Sequence, residues 1–161
     1  MIKEQVVIGI DTSNYTTSVA ILSVNGDLIA NKKLLLPVKQ GERGLRQSDA
    51  LFNHTVNLPK MMKDVEALIK EREIIAVGVS TRPRNQEGSY MPCFLAGISV
   101  AQGISSALGA PMFEFSHQCG HVMAAIYSSG KVELLSAPFA AFHISGGTTE
   151  LLRVSDKTNE P

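Results

Sequence analysis

Two histidines, His117 and His121, lie four positions apart in the segment FSHQCGHVMAA. On a helix this spacing puts both imidazoles on one face, where they can bind the same zinc or iron ion. Two ligands do not complete a metal site, so a third has to come from elsewhere. Zinc peptidases of the HExxH type carry a glutamate directly after the first histidine, and Gln118 at that position cannot accept a proton. The pattern therefore indicates a metal-binding pair or two surface histidines, and it argues against an ordinary zinc peptidase.

A second candidate site lies in GIDTSNYTTSVAIL, where a β-branched run ends at Asp11 and Ser13 follows in the turn. In actin-like ATPases, a turn of this kind places backbone N–H groups and hydroxyls against a phosphate, and the acid orients a metal ion or water. The alternative is a plain β-hairpin with Asp11 and Ser13 as turn formers. The segment alone fits both interpretations.

The third candidate is FHISGGTTELLRV, in which two glycines follow a predicted strand. Glycine lets the backbone approach the phosphates of a ligand closely, although a tight hairpin turn needs glycine as well. His143 lies inside the strand, and its position favours packing over ligand binding.

The elements that would hold these residues alternate in a recognisable order. Asn25-Gly26-Asp27 predicts a hairpin turn, and Pro59 predicts a kink or a split in the first helix, which Ser48 and Asp49 can cap. The predicted strands are Val6–Ile10, Thr17–Val24, Leu28–Val38, Ile74–Ser80, Met112–Phe115, Phe139–Ser145 and Glu150–Val154, and the predicted helices are Ser48–Lys70, Tyr90–Leu108 and His117–Ser128. Three antiparallel strands followed by alternating helices and strands predict an α/β, ribonuclease-H-like lobe with a mixed sheet.

The amino-acid composition and net charge bear on which partners the protein can bind and where in the cell it works. Hydrophobic residues make up 44% of the 161 residues, and 15 Lys and Arg balance 15 Asp and Glu. A neutral total gives no electrostatic reason to expect a nucleic-acid or membrane partner. The start carries no secretory signal and the apolar runs are too short to cross a bilayer, so we expect a cytoplasmic protein. Two cysteines indicate reduced thiols, and we expect Cys119 to pack in the core.

Together these segments resemble the TsaD family, once described as O-sialoglycoprotein endopeptidases (glycoproteases). The resemblance rests on GIDTS at Gly9–Ser13, on HxxGH at His117–His121 and on ISGG at Ile144–Gly147, in the family's order and spacing. His54 also stands where the family has a histidine in a short helix. The similarity covers nearly the whole chain and favours the N-terminal actin-like ATPase (ASKHA) lobe of the family fold.

The resemblance implies a transferase that moves threonylcarbamoyl from threonylcarbamoyl-adenylate to an adenosine N6 amine of tRNA. It implies iron or zinc at His117 and His121, with a third ligand from a second lobe, and ATP or the adenylate as nucleotide. Asp11 and Ser13 would lie in the cleft between the lobes, whereas no residue is assigned a catalytic role. The strand-end residues that would line the nucleotide site are His143, Ile144, Ser145, Gly146 and Gly147.

Several departures from the family pattern keep alternatives open. The charged segment Thr81–Gly88 replaces a Gly-Pro-Gly turn, Thr148 replaces a histidine or asparagine, and Cys119 between the histidines is unusual. The alternatives are a metalloendopeptidase and a non-catalytic scaffold related to TsaB, the family's shorter paralogue and a predicted partner. We expect residues 1–154 to form the N-terminal lobe and residues 155–161 a polar tail. Such a lobe would be inactive alone and would form a homodimer through its exposed cleft face.

Overall fold

The computed structural model of the chain describes residues 2–38, 44–144 and 149–155. The chain divides into two compact units, Met1–His117 and Gln118–Pro161. The assignment of residues 1–154 to one lobe stays a prediction.

The first unit contains a five-stranded sheet in the order β3-β2-β1-β4-β5. Strand β1 pairs with β2 and β2 with β3 in antiparallel fashion, whereas β1, β4 and β5 run parallel. The elements in chain order are β1 (Glu4–Asp11), β2 (Thr16–Ser23), β3 (Leu28–Leu35), α1 (Gln47–Lys70), β4 (Arg72–Arg82), α2 (Phe94–Leu108) and β5 (Met112–Ser116). The predicted meander and the predicted alternation of helices and strands are confirmed.

The core of this unit includes strand residues that are buried at every second position. In β1 the buried residues Val6, Ile8 and Ile10 are two positions apart, as a strand with one covered face requires. Leu58 and Val65 of α1 belong to the same hydrophobic core cluster. The central strand β1 is therefore fixed in register by its apolar face.

Helix α1 differs from prediction at two points. It runs through Pro59 as one helix, so of the predicted kink or split, the split is wrong and the kink stays a prediction. Apolar residues on both sides of the proline, including Leu58 and Met61, are buried in the core, and this packing outweighs the backbone hydrogen bond that a proline lacks. The cap prediction is also wrong, because the helix begins at Gln47 with Arg46 as N-cap and without a side-chain cap.

Helix α2 begins later than predicted and ends where predicted. The helix starts at Phe94 instead of Tyr90, since the residue before Pro92 is disfavoured in helical conformation. Gly109 ends α2 with a left-handed φ of 65°, which glycine adopts without steric cost. The turn brings the chain into β5.

The second unit contains most of helix α3 (His117–Ser129) and a two-stranded antiparallel sheet of β6 (Phe139–Ile144) and β7 (Thr149–Val154). A 3-10 segment at Val132–Ser136, not predicted from the sequence, precedes β6. In the hairpin, Phe142, Ile144 and Leu151 are exposed. None of the described helices has the length and apolar character that a membrane span requires.

Candidate functional site

The site is centred on Asp11, the last residue of β1. Its Oδ1 accepts a hydrogen bond from the Ser13 backbone N–H at 2.8 Å, which closes the first turn after the strand. Its Oδ2 accepts from the Ser80 hydroxyl at 2.5 Å and contacts His117 Nδ1 at 2.9 Å. Because β1, β4 and β5 are parallel, their carboxyl ends meet at one edge of the sheet, where ligands of open α/β sheets bind. Ser80 and His117, both distant from Asp11 in sequence, therefore converge on its carboxylate.

The carboxylate of Asp11 is held in its ionised form. Burial alone would raise its pKa, but the hydrogen bond and the charge of His117, together with hydrogen bonds from Ser80 and Ser13, outweigh burial and hold the pKa of Asp11 well below its usual range. The side chain keeps 25% of its surface exposed. A negative charge that is fixed in place and reaches solvent can orient a cation or a basic ring.

His117 stands at the junction of β5 and α3. Its Nδ1 is held by Asp11, and its ring lies 6.5 Å from the Phe94 ring between centroids. A carboxylate on one ring nitrogen fixes ring orientation and tautomer, as it does for metal-bound histidines. The donor chemistry of His117 thus fits a metal ligand, although the described part of the chain contains no group of three metal-binding side chains.

The end of β1 is attached to helix α2 through Thr12. Its hydroxyl donates to the Cys93 carbonyl at 3.0 Å and accepts from the Gly97 backbone N–H at 3.2 Å. A Cβ at Gly97 would lie 2.8 Å from Thr12 Oγ1, so only glycine permits this approach. Thr12, directly after Asp11, is fully buried, and the helix thereby fixes the strand end.

A buried polar group lies between α1 and the start of β2. His54 Nδ1 lies 2.8 Å from Thr17 Oγ1, and Asn57 Nδ2 donates to the same hydroxyl at 3.2 Å. His54 and Thr17 have no exposed surface. Burial lowers the pKa of His54, while the Ser13 carbonyl and the charge of Asp11 act in the opposite direction. The ring is therefore neutral at neutral pH.

In the second unit, polar side chains gather beside the β6–β7 hairpin. The Gln118 side-chain amide donates to Glu150 Oε2 at 2.7 Å and lies 3.3 Å from His143 Nδ1. His143 Nδ1 is also 3.5 Å from Glu150, and the His121 and His143 rings are 5.6 Å apart between centroids. His143 is thus engaged with polar groups, whereas the sequence favoured a packing role.

The comparisons with known proteins bear on these residues. The family model described as TsaD: tRNA N6-adenosine threonylcarbamoyltransferase matches residues 36–160. The chain belongs to the TsaD family. A tRNA N6-adenosine threonylcarbamoyltransferase from Streptococcus suis (strain 05ZYH33) is 30% identical over 160 residues, covering 97% of this chain and 45% of the relative. One from Streptococcus pneumoniae (strain CGSP14) is 30% identical over 158 residues, covering 96% and 44%. The chain spans less than half the length of these TsaD proteins.

Solved structures agree on the fold. YeaZ from Pseudomonas aeruginosa matches with a TM-score of 0.57 and 18% identity, over 91% of this chain and 64% of that one. A ROK family transcriptional regulator matches with a TM-score of 0.53 and 14% identity, over 95% and 37%. The predicted α/β, ribonuclease-H-like (actin-like ATPase) fold is confirmed.

The TsaD motif residues fall in different parts of the structure. Asp11 ends β1 and Ser13 lies in the turn to β2, and His117 and His121 lie one turn apart on α3. Ile144 is the last residue of β6 and is exposed. Ser145, Gly146 and Gly147 lie outside the described residues. The binding roles of all these residues stay predictions.

Sequence reasoning misjudged some neighbours of the TsaD motifs and missed others. Cys119, expected in the core, is exposed, because α3 buries only Ile126. Ser80 and Thr12 were not predicted as site residues. Each is a small hydroxyl residue at the end of a buried strand, and this pattern could have identified both. Cys93 is buried near this edge, and burial followed by the charge of Asp11 raises its thiol pKa to about 11.

Proposed function

We propose that this chain is the N-terminal part of a tRNA N6-adenosine threonylcarbamoyltransferase that binds a metal ion and a nucleotide. The observation that carries the proposal is the convergence of Asp11, Ser80 and His117 at the carboxyl edge of β1, β4 and β5. Membership of the TsaD family supports the choice of reaction. A fixed carboxylate beside a histidine at a strand edge suits the handling of phosphate and metal.

The proposed metal, iron or zinc, would be held by His117 and His121, with a further ligand from another part of the intact protein. When bound, it would hold phosphate oxygens or polarise the carbamoyl carbonyl. Asp11 would act through His117, because its contact with Nδ1 fixes the ring and makes Nε2 the nitrogen that would bind the metal. The turn at Ser13 keeps the carboxylate in place.

The proposed nucleotide is ATP or threonylcarbamoyl-adenylate, and the acceptor is tRNA. Nucleotide binding would involve Asp11, Ser13 and the run from His143 to Gly147, which begins with the last two residues of β6. Because the chain spans less than half of the TsaD relatives, we expect it to be inactive alone. A cytoplasmic location also stays a prediction.

A transfer assay tests the reaction. The chain, and any longer product of the same reading frame, is incubated with TsaB-like partner protein, ATP, threonine, bicarbonate and unmodified tRNA. Nucleoside mass spectrometry then measures threonylcarbamoyladenosine. We expect the longer product to form it, His117→Ala or His121→Ala to abolish it, and Glu66→Ala, a change in an exposed ion pair with Lys70 on α1, to leave it unchanged. Absence of product from folded, metal-loaded protein would refute the transferase.

Metal content separates this proposal from the scaffold alternative. We expect elemental analysis of the purified chain or its longer product to find iron or zinc, and His117→Ala to remove it. A protein without metal after reconstitution under anaerobic conditions supports the scaffold instead. The metalloendopeptidase alternative is disfavoured, because Gln118 stands where a peptidase has its base and its amide donates to Glu150.

A groove between α1 and α2 supports the proposed TsaB-like partner. Leu51, Pro59, Leu95 and Val100 are among the apolar residues that line it, and Leu95 on α2 is 42% exposed. Exposed apolar surface at a groove is typical of protein interfaces. We expect Leu95→Asp to abolish binding of a TsaB-like protein in calorimetry while leaving the fold intact. If binding persists, the groove is not the interface with the TsaB-like protein. Light scattering is a separate test, which measures whether the predicted homodimer forms through the cleft face.

A further inference from the structure

The charged segment Thr81–Gly88 has no part in the proposed function, although it begins at the carboxyl edge of the sheet. Arg82 is the last residue of β4. It pairs with Ser116 of β5, which directly precedes His117. Because β1, β4 and β5 are parallel, this register places Arg82 at the same edge as Asp11, the last residue of β1.

The guanidinium of Arg82 is oriented by two uncharged side chains. Its Nη2 donates to Asn85 Oδ1 at 2.8 Å, and its Nη1 donates to Thr81 Oγ1 at 3.2 Å. A guanidinium has five N–H groups, so these two hydrogen bonds leave three for another acceptor. In the part of the chain that the structure describes, no ion pair joins Arg82 to a carboxylate. Arg82 therefore carries a positive charge that the described residues do not neutralise.

Hydrogen bonds within the loop after β4 keep this arrangement in place. The Arg84 backbone N–H donates to Ser89 Oγ at 3.1 Å, and the Ser89 backbone N–H donates to the Gln86 carbonyl at 3.1 Å. Asn85, which accepts from Arg82, lies inside the loop that these bonds close. The guanidinium is thus oriented before a ligand arrives, which lowers the entropic cost of binding.

Arg72 at the opposite end of β4 provides a comparison on the same strand. Its Nε donates to Glu4 Oε2 at 2.8 Å, and its Nη1 donates to the Leu68 carbonyl at 3.0 Å. The charge of Arg72 is therefore neutralised within the protein. Of these two arginines, the one at the carboxyl edge is the one whose charge remains available to a ligand.

The charge of Asp11 makes this difference important for binding. An oxyanion that approaches the carboxyl edge is repelled by the ionised carboxylate of Asp11, and the charge of Arg82 offsets the repulsion. A guanidinium binds phosphate or carboxylate through two N–H groups at once. The proposed ligand, threonylcarbamoyl-adenylate, carries one group of each kind.

We propose that Arg82 binds an oxyanion of the ligand, a phosphate or a carboxylate, at the carboxyl edge of the sheet. Asn85 and Thr81 are positioning residues, because they orient the guanidinium. The inference rests on the proposed function for its choice of ligand and deepens it, since it assigns a residue to the anionic part of that ligand.

An NMR titration of the 161-residue chain tests the proposal without a variant. Arginine labelled with 15N gives Nε–H resonances, and those of Arg82 and Arg72 are followed while pyrophosphate or N-carbamoyl-threonine is added. We expect at least one of these anions to shift the Arg82 resonance saturably. The anion that does so identifies the bound group as phosphate or carboxylate. No saturable shift with either anion, or an equal shift at Arg72, overturns the proposal.

Variants at the two ends of β4 measure the contribution of the charge. Arg82→Gln removes the charge and keeps a side-chain amide, and Arg72→Gln is the matched control. We expect Arg82→Gln to lower the affinity for the responding anion by about 10- to 100-fold, as loss of a charged hydrogen bond does, and Arg72→Gln to leave it unchanged. Asn85→Ala, at an exposed position, should lower the affinity less, because the charge remains but loses an orienting contact.

Two results with these variants overturn the role of Arg82. One is an unchanged affinity in Arg82→Gln. The other is an equal loss in Arg82→Gln and Arg72→Gln, since the anion would then respond only to the overall charge of the protein. If Arg82→Gln does not fold, the wild-type titration and Asn85→Ala decide. Failure of the transferase proposal is seen separately, as a longer product without transfer activity in a protein whose Arg82 still binds the anion.

Discussion

Gly97→Ala is the sharpest test of how α2 holds the end of β1. The new Cβ would lie 2.8 Å from Thr12 Oγ1, 3.3 Å from Thr12 Cγ2 and 3.4 Å from Ile10 Cγ2. The first distance is shorter than real Cβ contacts allow, and Thr12 is tied to α2 by two hydrogen bonds, so it cannot rotate away without losing them. The helix must therefore shift away from the residue that follows Asp11.

The magnitude follows from three contributions. Overpacking a buried site costs about 1–3 kcal/mol, and weakening the Thr12 hydrogen bonds adds about 1 kcal/mol. Alanine in a helix interior gains about 1 kcal/mol over glycine. The expected net loss is about 1–3 kcal/mol in the free energy of unfolding, which lowers Tm by about 2–4 °C per kcal/mol in a chain of this size.

Urea denaturation followed by circular dichroism measures the change, and Gly103→Ala is the matched control. Gly103 lies on the same helix, and a Cβ there would meet nothing within 4 Å. We expect Gly103→Ala to stabilise the protein, opposite in sign to Gly97→Ala. In a Thr12→Ala background, the loss from Gly97→Ala should shrink. A Gly97→Ala protein as stable as Gly103→Ala would refute the close approach of α2 and β1.

Three further predictions use the same region. The pKa of His54 is lowered in the folded protein. When the pH falls below the ordinary pKa of histidine, the unfolded chain therefore binds a proton at His54 more readily than the folded protein does. Stability should fall as pH drops through about 6.5, by at most about 1.4 kcal/mol per pH unit, and urea midpoints in His54→Leu should lack this contribution. Ser80→Ala removes a partly buried hydrogen bond to the Asp11 carboxylate and should lower the free energy of unfolding by about 1.5–3 kcal/mol in urea denaturation. An unchanged urea midpoint would contradict this. With a thiol reagent at pH 8, Cys119 should react in the native protein and Cys93 only after unfolding. Cys93 is buried, and its pKa is raised to about 11. Reaction of both thiols in the native protein would show that Cys93 is accessible to solvent and would contradict this prediction.

The sequence predicted what depends on local pattern. Alternating β-branched residues gave β1 with Asp11 at its end, and a four-residue spacing placed His117 and His121 on one helix. The convergence of Ser80 and His117 on Asp11 could not be predicted, because it depends on the parallel register of three strands separated by helices. Local rules also failed where packing opposed them, as at Pro59 inside α1. The family resemblance identified His54 but not what it touches.

The central place of β1 has a consequence during synthesis on the ribosome. One edge of β1 pairs with β2, which follows after a short turn, but the other edge pairs with β4, and Gln5 and Glu73 are 68 residues apart. At about 5–20 residues per second, that second edge waits about 3–14 s for its partner. During this interval it is an unpaired strand edge, the kind of surface that joins other chains. We therefore expect the yield of folded protein to depend on the speed of translation from β1 to β4, and on chaperones that cover the nascent hairpin.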